Sequence, residues 1–393
     1  MCCCFVSNWV SIYWLYGTLV AVIYVEVLIK KVKDMKKNYL LCIVFVFASC
    51  RNTYYTPEQI DMSVDVPTYQ LEFTKLPIEC PSAFGVVGLE SKAVVFTRDN
   101  RSFLQVFDYE GNTIAKLSPK GRAANEFQSV SINGQKFKID NDYYFYVYDH
   151  PDYYLYNISG SIRAGANLTP KKVAEKSDHF MSKYLFREDG SYFSLRTVSE
   201  FGDPRDEVMF SPPEFTLHQT DGKLKKYNVY PDIVDYLNVG PDMLYDSFIH
   251  MTNDLSTVYD FASYQDRITI FDLETGKTKG VRGPDFVDFS TLYGMDMITI
   301  AKKLVNGYMD TEQIDNYLFV LYDQRTAYDD MEDIPLNVCI RVLDLDCNLK
   351  AVIELGEPIT SISYDRESKK LLANDSQENI YIADITSIMS SLQ

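Results

Sequence analysis

The chain has 393 residues, a net charge of −17 and an unusual 30 tyrosines. Its excess of acid argues against a nucleic-acid partner, because phosphate backbones are bound by clustered Lys and Arg that release counterions. Beyond residue 50 only Cys80, Cys339 and Cys347 remain. An odd set of three cannot form a disulfide framework, none has zinc-ligand spacing, and the body must therefore be held by its core.

In chain order, residues 1–49 are nearly all apolar and carry five lysines against Glu26 and Asp34, so the remainder carries a net −20. Phe5 to Ile29 is long enough to span a bilayer, which takes ~20 residues, and is followed by Lys30, Lys31 and Lys33 on what would be the cytoplasmic side. A second element starts at Met35-Lys36-Lys37, continues through an apolar run from Tyr39 to Phe47 and ends in Phe47-Ala48-Ser49-Cys50, the grammar of an export signal. That run is too short to span. An uncleaved membrane helix is the alternative reading. Two membrane elements in succession would be odd, and translation from Met35, with 1–34 an upstream segment, is the simpler account.

Phe47-Ala48-Ser49-Cys50 resembles the lipobox of bacterial lipoproteins, departing from it at Phe47, where that family usually has Leu. The resemblance implies a signal peptide over 35–49, cleavage before Cys50 and acylation of its sulfur. The address it implies is the bacterial cell envelope, with a lipid anchor in the membrane and the body facing the periplasm or the outer-membrane surface.

Residues 50–66 have scattered apolar positions and Pro57, and read as a tether; the folded domain is expected over 67–393. Strand patterns are then nearly continuous. A hairpin signature returns about every fifty residues, a period-2 apolar strand, a polar turn and a second strand. Copies are Phe103 to Asn112, Phe215 to Lys223, Arg267 to Lys277 and Cys339 to Asn348, with weaker ones at Tyr153 to Ser161 and Asn379 to Asp384. So long a period built of strands predicts an all-β fold, a six-bladed β-propeller of four-stranded antiparallel blades. The first blade is expected at Ala83 to Gly88, Lys92 to Thr97, Ser102 to Asp108 and Thr113 to Ser118, and the second over about Ser129 to Arg163. The last repeat, Ile359 to Asp384, supplies only three strands. The unassigned N-terminal strand Thr68 to Thr74 is expected to complete it, pairing with Asn379 to Asp384 and closing the ring. Tyrosines at alternate strand positions are expected to fill the spaces between blades.

Three segments, Leu117 to Phe127, Phe261 to Leu273 and Ile340 to Asp384, resemble the TolB-like six-bladed propeller lipoproteins of Bacteroidetes. That resemblance implies the fold and the envelope address, and no particular reaction. Two departures stand out. Ala123-Ala124 replaces a glycine-rich linker, and Cys347 occupies the turn position held elsewhere by Gly111, Gly222 and Gly276, which suggests a different turn.

Candidate chemistry is sparse. His150, His179, His218 and His250 are far apart in sequence, and neither a nucleophile elbow nor a phosphate-binding loop is present. Trp9 and Trp14 lie in the leader, so the domain lacks the tryptophans that mark several enzymatic propellers. Acids and aromatics gather in loops that the strand count places on one face: Asp232 and Asp235, Asp242, Asp285 and Asp288, and the run Asp329, Asp330, Glu332 and Asp333. These are the candidate binding residues. No cofactor is predicted, although such carboxylates would suit a divalent cation. The reading favoured is a lipid-anchored binding module for a protein or glycan, without nucleic acid. The alternative is a metal-dependent hydrolase of lactone or sugar type with carboxylates at the propeller axis.

Overall fold

The computed structural model describes residues 58–59, 65–99, 101–128, 130–149, 152–174, 182–196, 214–227, 229 and 246–392. The leader, Cys50, and His150 and His179 lie outside them. Six sheets, one per blade, follow one another in sequence. This chain is a six-bladed β-propeller.

Blade I is Ala83–Leu89, Lys92–Thr97, Ser102–Phe107 and Thr113–Pro119, within a residue of expectation. Blade II is Ser131–Ile139, Asp142–Asp149, Asp152–Asn157 and Lys171–Ala174. Blade III is Ser182–Phe186, Tyr192–Arg196, Glu214–His218 and Leu224–Tyr227, and blade IV Ser247–Met251, Thr257–Ala262, Arg267–Asp272 and Thr278–Arg282. Blade V opens with the long pair Val305–Ile314 and Tyr317–Thr326, followed by Val338–Asp344 and Leu349–Leu355. Blade VI is Ile359–Asp365, Lys370–Asp375, Ile380–Asp384 and the N-terminal strand Thr74–Lys75.

The ring is closed by an N-terminal strand, but with a shifted register of use. Thr74 and Lys75 pair with Ile382 and Tyr381, and Leu76 N–H donates to Ile380 O at 2.8 Å. Thr68–Leu71, expected in the same pairing, instead lies parallel to the outer strand of blade V, Thr68 opposite Val352 and Leu71 opposite Leu355. Packing explains the shift: Leu71 is buried among Ala351, Ile353 and Tyr381, and Phe73 meets the Tyr381 ring edge-on at 6.3 Å. Within the tether, Glu58–Gln59 pairs in parallel with Val281 and Arg282 of blade IV.

Each apolar cluster occupies one seam between neighbouring blades. Phe96, Leu104, Phe145 and Tyr156 fill the seam from I to II, and Phe193, Phe215, Val258 and Phe271 the seam from III to IV. Phe261, Tyr308 and Tyr322 fill the next, and Phe319, Ile340 and Leu371 the one from V to VI. The seam from II to III is the small aromatic one, with Tyr146, Tyr153 and Phe186 buried together. Tyrosine bodies thus serve as interblade filling, as expected from their number.

Two local expectations change. The weak hairpin copy at Tyr153 to Ser161 is a strand followed by the helix Ile158–Ala164, because Asn157 accepts from Gly160 N at 2.6 Å as N-cap and Gly165, at φ +62°, ends the helix. Ile158 and Ile162 of that helix enter the I–II core. The turn at Cys347 is the same as in the copies at Gly111 and Gly222. Cys347 takes φ +64° beside +89° at Gly111 and +81° at Gly222, and its N–H donates to Asp344 O as theirs do to Asp108 and Gln219, while Gly276 reaches one residue further back, to Asp272. Its fully buried thiol, against Tyr259 and Leu343, offsets the strain that glycine avoids.

Candidate functional site

Asp232, Asp235 and Asp242 lie outside the described residues. The structure brings the other candidate acids into two connections that meet on one face. The link from blade IV to blade V carries Asp285, Asp288 and the helix Met297–Ala301; the link between the second and third strands of blade V carries the helix Ala327–Met331. The two helices are neighbours, and Ala327 N–H donates to Leu304 O at 2.8 Å.

Most of these acids also have local partners. Asp285 accepts from the Tyr322 hydroxyl at 2.9 Å and lies 3.3 Å from Arg341. Asp288 caps the turn Phe289–Leu292 through Ser290 N. Asp329 forms a capping box with Thr326, whose N–H and hydroxyl hold its carboxyl below the usual range. Asp330 pairs with Arg325 at 3.0 Å, Glu332 raises the neighbouring Tyr328 phenol, and Asp333 adopts φ +55°. Beneath them lies a network that the sequence did not reveal: Arg341 stacks on the Tyr322 ring at 3.3 Å and bonds Asp266 at 2.8 Å, which also accepts from Tyr308. This buried ion pair ties blade IV to blade V. Among the described residues, no group of three or more His, Cys, Asp or Glu lies close enough to hold a metal ion.

The same face exposes large apolar side chains. Tyr293 and Met331 are each 67% exposed, and Met297, Ile298 and Ile334 stand out on the same two connections. Charged neighbours surround them, and Lys302 lies over the Tyr328 ring at 4.5 Å.

A second feature is the axis. The innermost strands of all six blades line a central cavity of about 830 Å³. Lys136, from blade II, crosses it: Nζ is 3.0 Å from Glu312 of blade V and donates to Ser363 Oγ at 3.1 Å and Tyr364 O at 2.8 Å in blade VI. Asp310 accepts from the N–H groups of Ile362 at 2.8 Å and Thr311 at 2.9 Å, yet burial pushes its carboxyl up to about 7. His250 lines the cavity, but its Nε2 is closed to solvent and has no hydrogen-bond partner among the described residues. Burial, reinforced by the charge of Lys136, pushes this imidazole down to about 4. Phe84, Phe137, Tyr148 and Tyr184 from blades I to III also line the cavity.

Among the axial groups only His250 was visible beforehand, as one of four scattered histidines. Lys136, Asp310 and Glu312 sit in ordinary strand patterns, and nothing local marks them. His218, by contrast, stacks on Tyr192 at 4.1 Å with Nε2 3.0 Å from Ser194 Oγ, a packed role.

No family model matches the chain, and no curated protein matches it. Solved structures similar to it include a Bacteroides fragilis NCTC 9343 protein described as exported, at 13% identity and a TM-score of 0.46, covering 81% of this chain and 98% of that one. Another is a member of the DUF4221 family from Bacteroides vulgatus ATCC 8482, at 10% identity and a TM-score of 0.48, covering 80% and 98%.

Proposed function

We propose that this chain is a cell-envelope binding module, held to a lipid layer through Cys50, whose loop-bearing face engages a protein. The observation that supports it is the exposed apolar set Met297, Ile298, Met331 and Ile334 on two adjoining connections, set among Asp288, Asp296, Asp329, Asp330, Glu332 and Asp333. A contiguous apolar surface with a polar surround is what a protein interface requires. Its charge selects the partner. Acids around the patch favour a protein that presents apolar side chains flanked by Lys or Arg, and they repel the anionic headgroups of a bilayer.

The test is retention of envelope proteins on the immobilised full-length chain, eluted by rising salt, compared with Ile298→Ser/Met331→Ser and with Asp330→Asn/Glu332→Gln/Asp333→Asn. A basic protein lost from the first variant, and eluting at lower salt from the second, supports the reading. Identical elution profiles from all three would remove this face from it. The anchor is tested separately: a fatty-acid label should enter the wild-type chain and be absent from Cys50→Ala.

A further inference from the structure

We infer that the axial cavity is a second binding site, built for a neutral saccharide. Its volume of about 830 Å³ lies within the range of small-molecule sites. Its lining mixes two kinds of surface: aromatic rings from Phe84, Tyr148 and Tyr184 in blades I to III, and polar groups that include Gln135 and Lys136 in blade II and Asp310 and Glu312 in blade V. Phe84 is 44% exposed although its strand neighbours are buried, with the Phe96 ring 6.2 Å away and the Arg98 guanidinium 5.2 Å from its centre, so part of a large apolar ring remains open at the cavity. A pyranose matches this mixture, because its C–H face suits the negative face of an aromatic ring and its hydroxyl rim both donates and accepts.

Charge narrows the class. Lys136 is already matched by Glu312 at 3.0 Å, and the other lining cations, Lys138, Lys183 and Arg366, are balanced in number by Glu188, Asp246 and Asp310, so the cavity carries no formal excess of positive charge to draw an anion. His250 stays neutral near pH 7, and no cluster of carboxylates is present among the described residues to attract a cation. A purely apolar ligand would leave the Lys136–Glu312 pair desolvated.

Saturation-transfer NMR and calorimetry on the full-length chain, kept in a sugar-free detergent, test the inference. The probes are cellobiose, maltose and N,N′-diacetylchitobiose, against glucuronate and glucose 6-phosphate. At least one neutral disaccharide should bind at ~1 mM or tighter, and Phe84→Ala, whose ring is exposed, should weaken it about tenfold or more. Ser363→Ala, which removes an acceptor that holds the Lys136 ammonium in place, should weaken it as well. The inference is overturned if no neutral probe binds at ~10 mM, a level at which even weak sites fill. It is equally overturned if both variants bind as wild type does, or if the charged sugars bind as well as the neutral ones.

Discussion

Lys136 of blade II reaches Glu312 of blade V across the propeller axis, Nζ to Oε1 at 3.0 Å, with only 14% and 15% of the two side chains exposed. Blades II and V stand opposite one another in a ring of six, so this pair joins strands that share no seam. A charge held in such a place has little solvent to fall back on, and Ser363 and Tyr364 supply the remaining acceptors for the ammonium.

Removing one partner should therefore cost more than removing both. Lys136→Met leaves Glu312 enclosed without its cation and is expected to destabilise the propeller by about 2–4 kcal/mol. Lys136→Met/Glu312→Gln should recover much of that loss. Urea melts of the two variants and wild type measure the difference; equal losses would mean the pair is not coupled.

Asp310 and His250 should oppose each other in the pH dependence of stability. The Asp310 carboxyl is raised from 3.8 to about 7, so the folded state holds a proton that the unfolded chain releases, and its contribution is lost as pH rises from about 4 to about 7. The His250 imidazole is lowered from 6.5 to about 4, so its contribution is lost as pH falls from about 6.5 to about 4. The two slopes largely cancel in wild type. Asp310→Asn should leave stability rising with pH across that window, and His250→Gln should leave it falling. Parallel pH profiles for the two variants would contradict this assignment.

Gly111 serves both its own turn and the closure. At φ +89° it stands where a Cβ would lie 2.5 Å from Pro77 O, in the segment that follows Thr74–Lys75. Gly111→Ala should cost about 2 kcal/mol or more, since a left-handed residue alone costs ~1–2. Thermal melting reads this out, with Gly222→Ala, whose Cβ meets nothing within 4 Å, as the milder comparison.

Deleting residues 1–76 should open the seam of blade VI. The strand Ile380–Asp384 then becomes an unpaired edge, and amide exchange there should accelerate well before that of Leu318 to Leu321 in blade V. Unchanged protection at Tyr381 and Ile382 would show that the N-terminal strand is dispensable for closure.

Much of the architecture was legible because it is written locally. Period-2 apolar runs fixed the strands of blade I to within a residue, and polar turns with a glycine at Gly111, Gly222 and Gly276 marked the outer hairpins, since side-chain alternation and left-handed turns are properties of short segments. The helix after Asn157 was missed because its capping residues sit inside a stretch rich in strand formers. For Cys347, burial of the thiol decides in favour of a conformation that the residue type alone disfavours.

The sequence alone determined the class of fold, the number of blades and the closing role of the N-terminal segment, because a repeat that cannot bury its faces alone must stack on its neighbours. Only the tertiary structure decided that Thr68–Leu71 adds to blade V while Thr74–Lys75 closes blade VI, and that Lys136, Glu312, Asp310 and His250 meet at the axis. The reason is distance along the chain: Lys136 and Glu312 lie in different blades, and it is the curvature of the whole ring that brings their charges together.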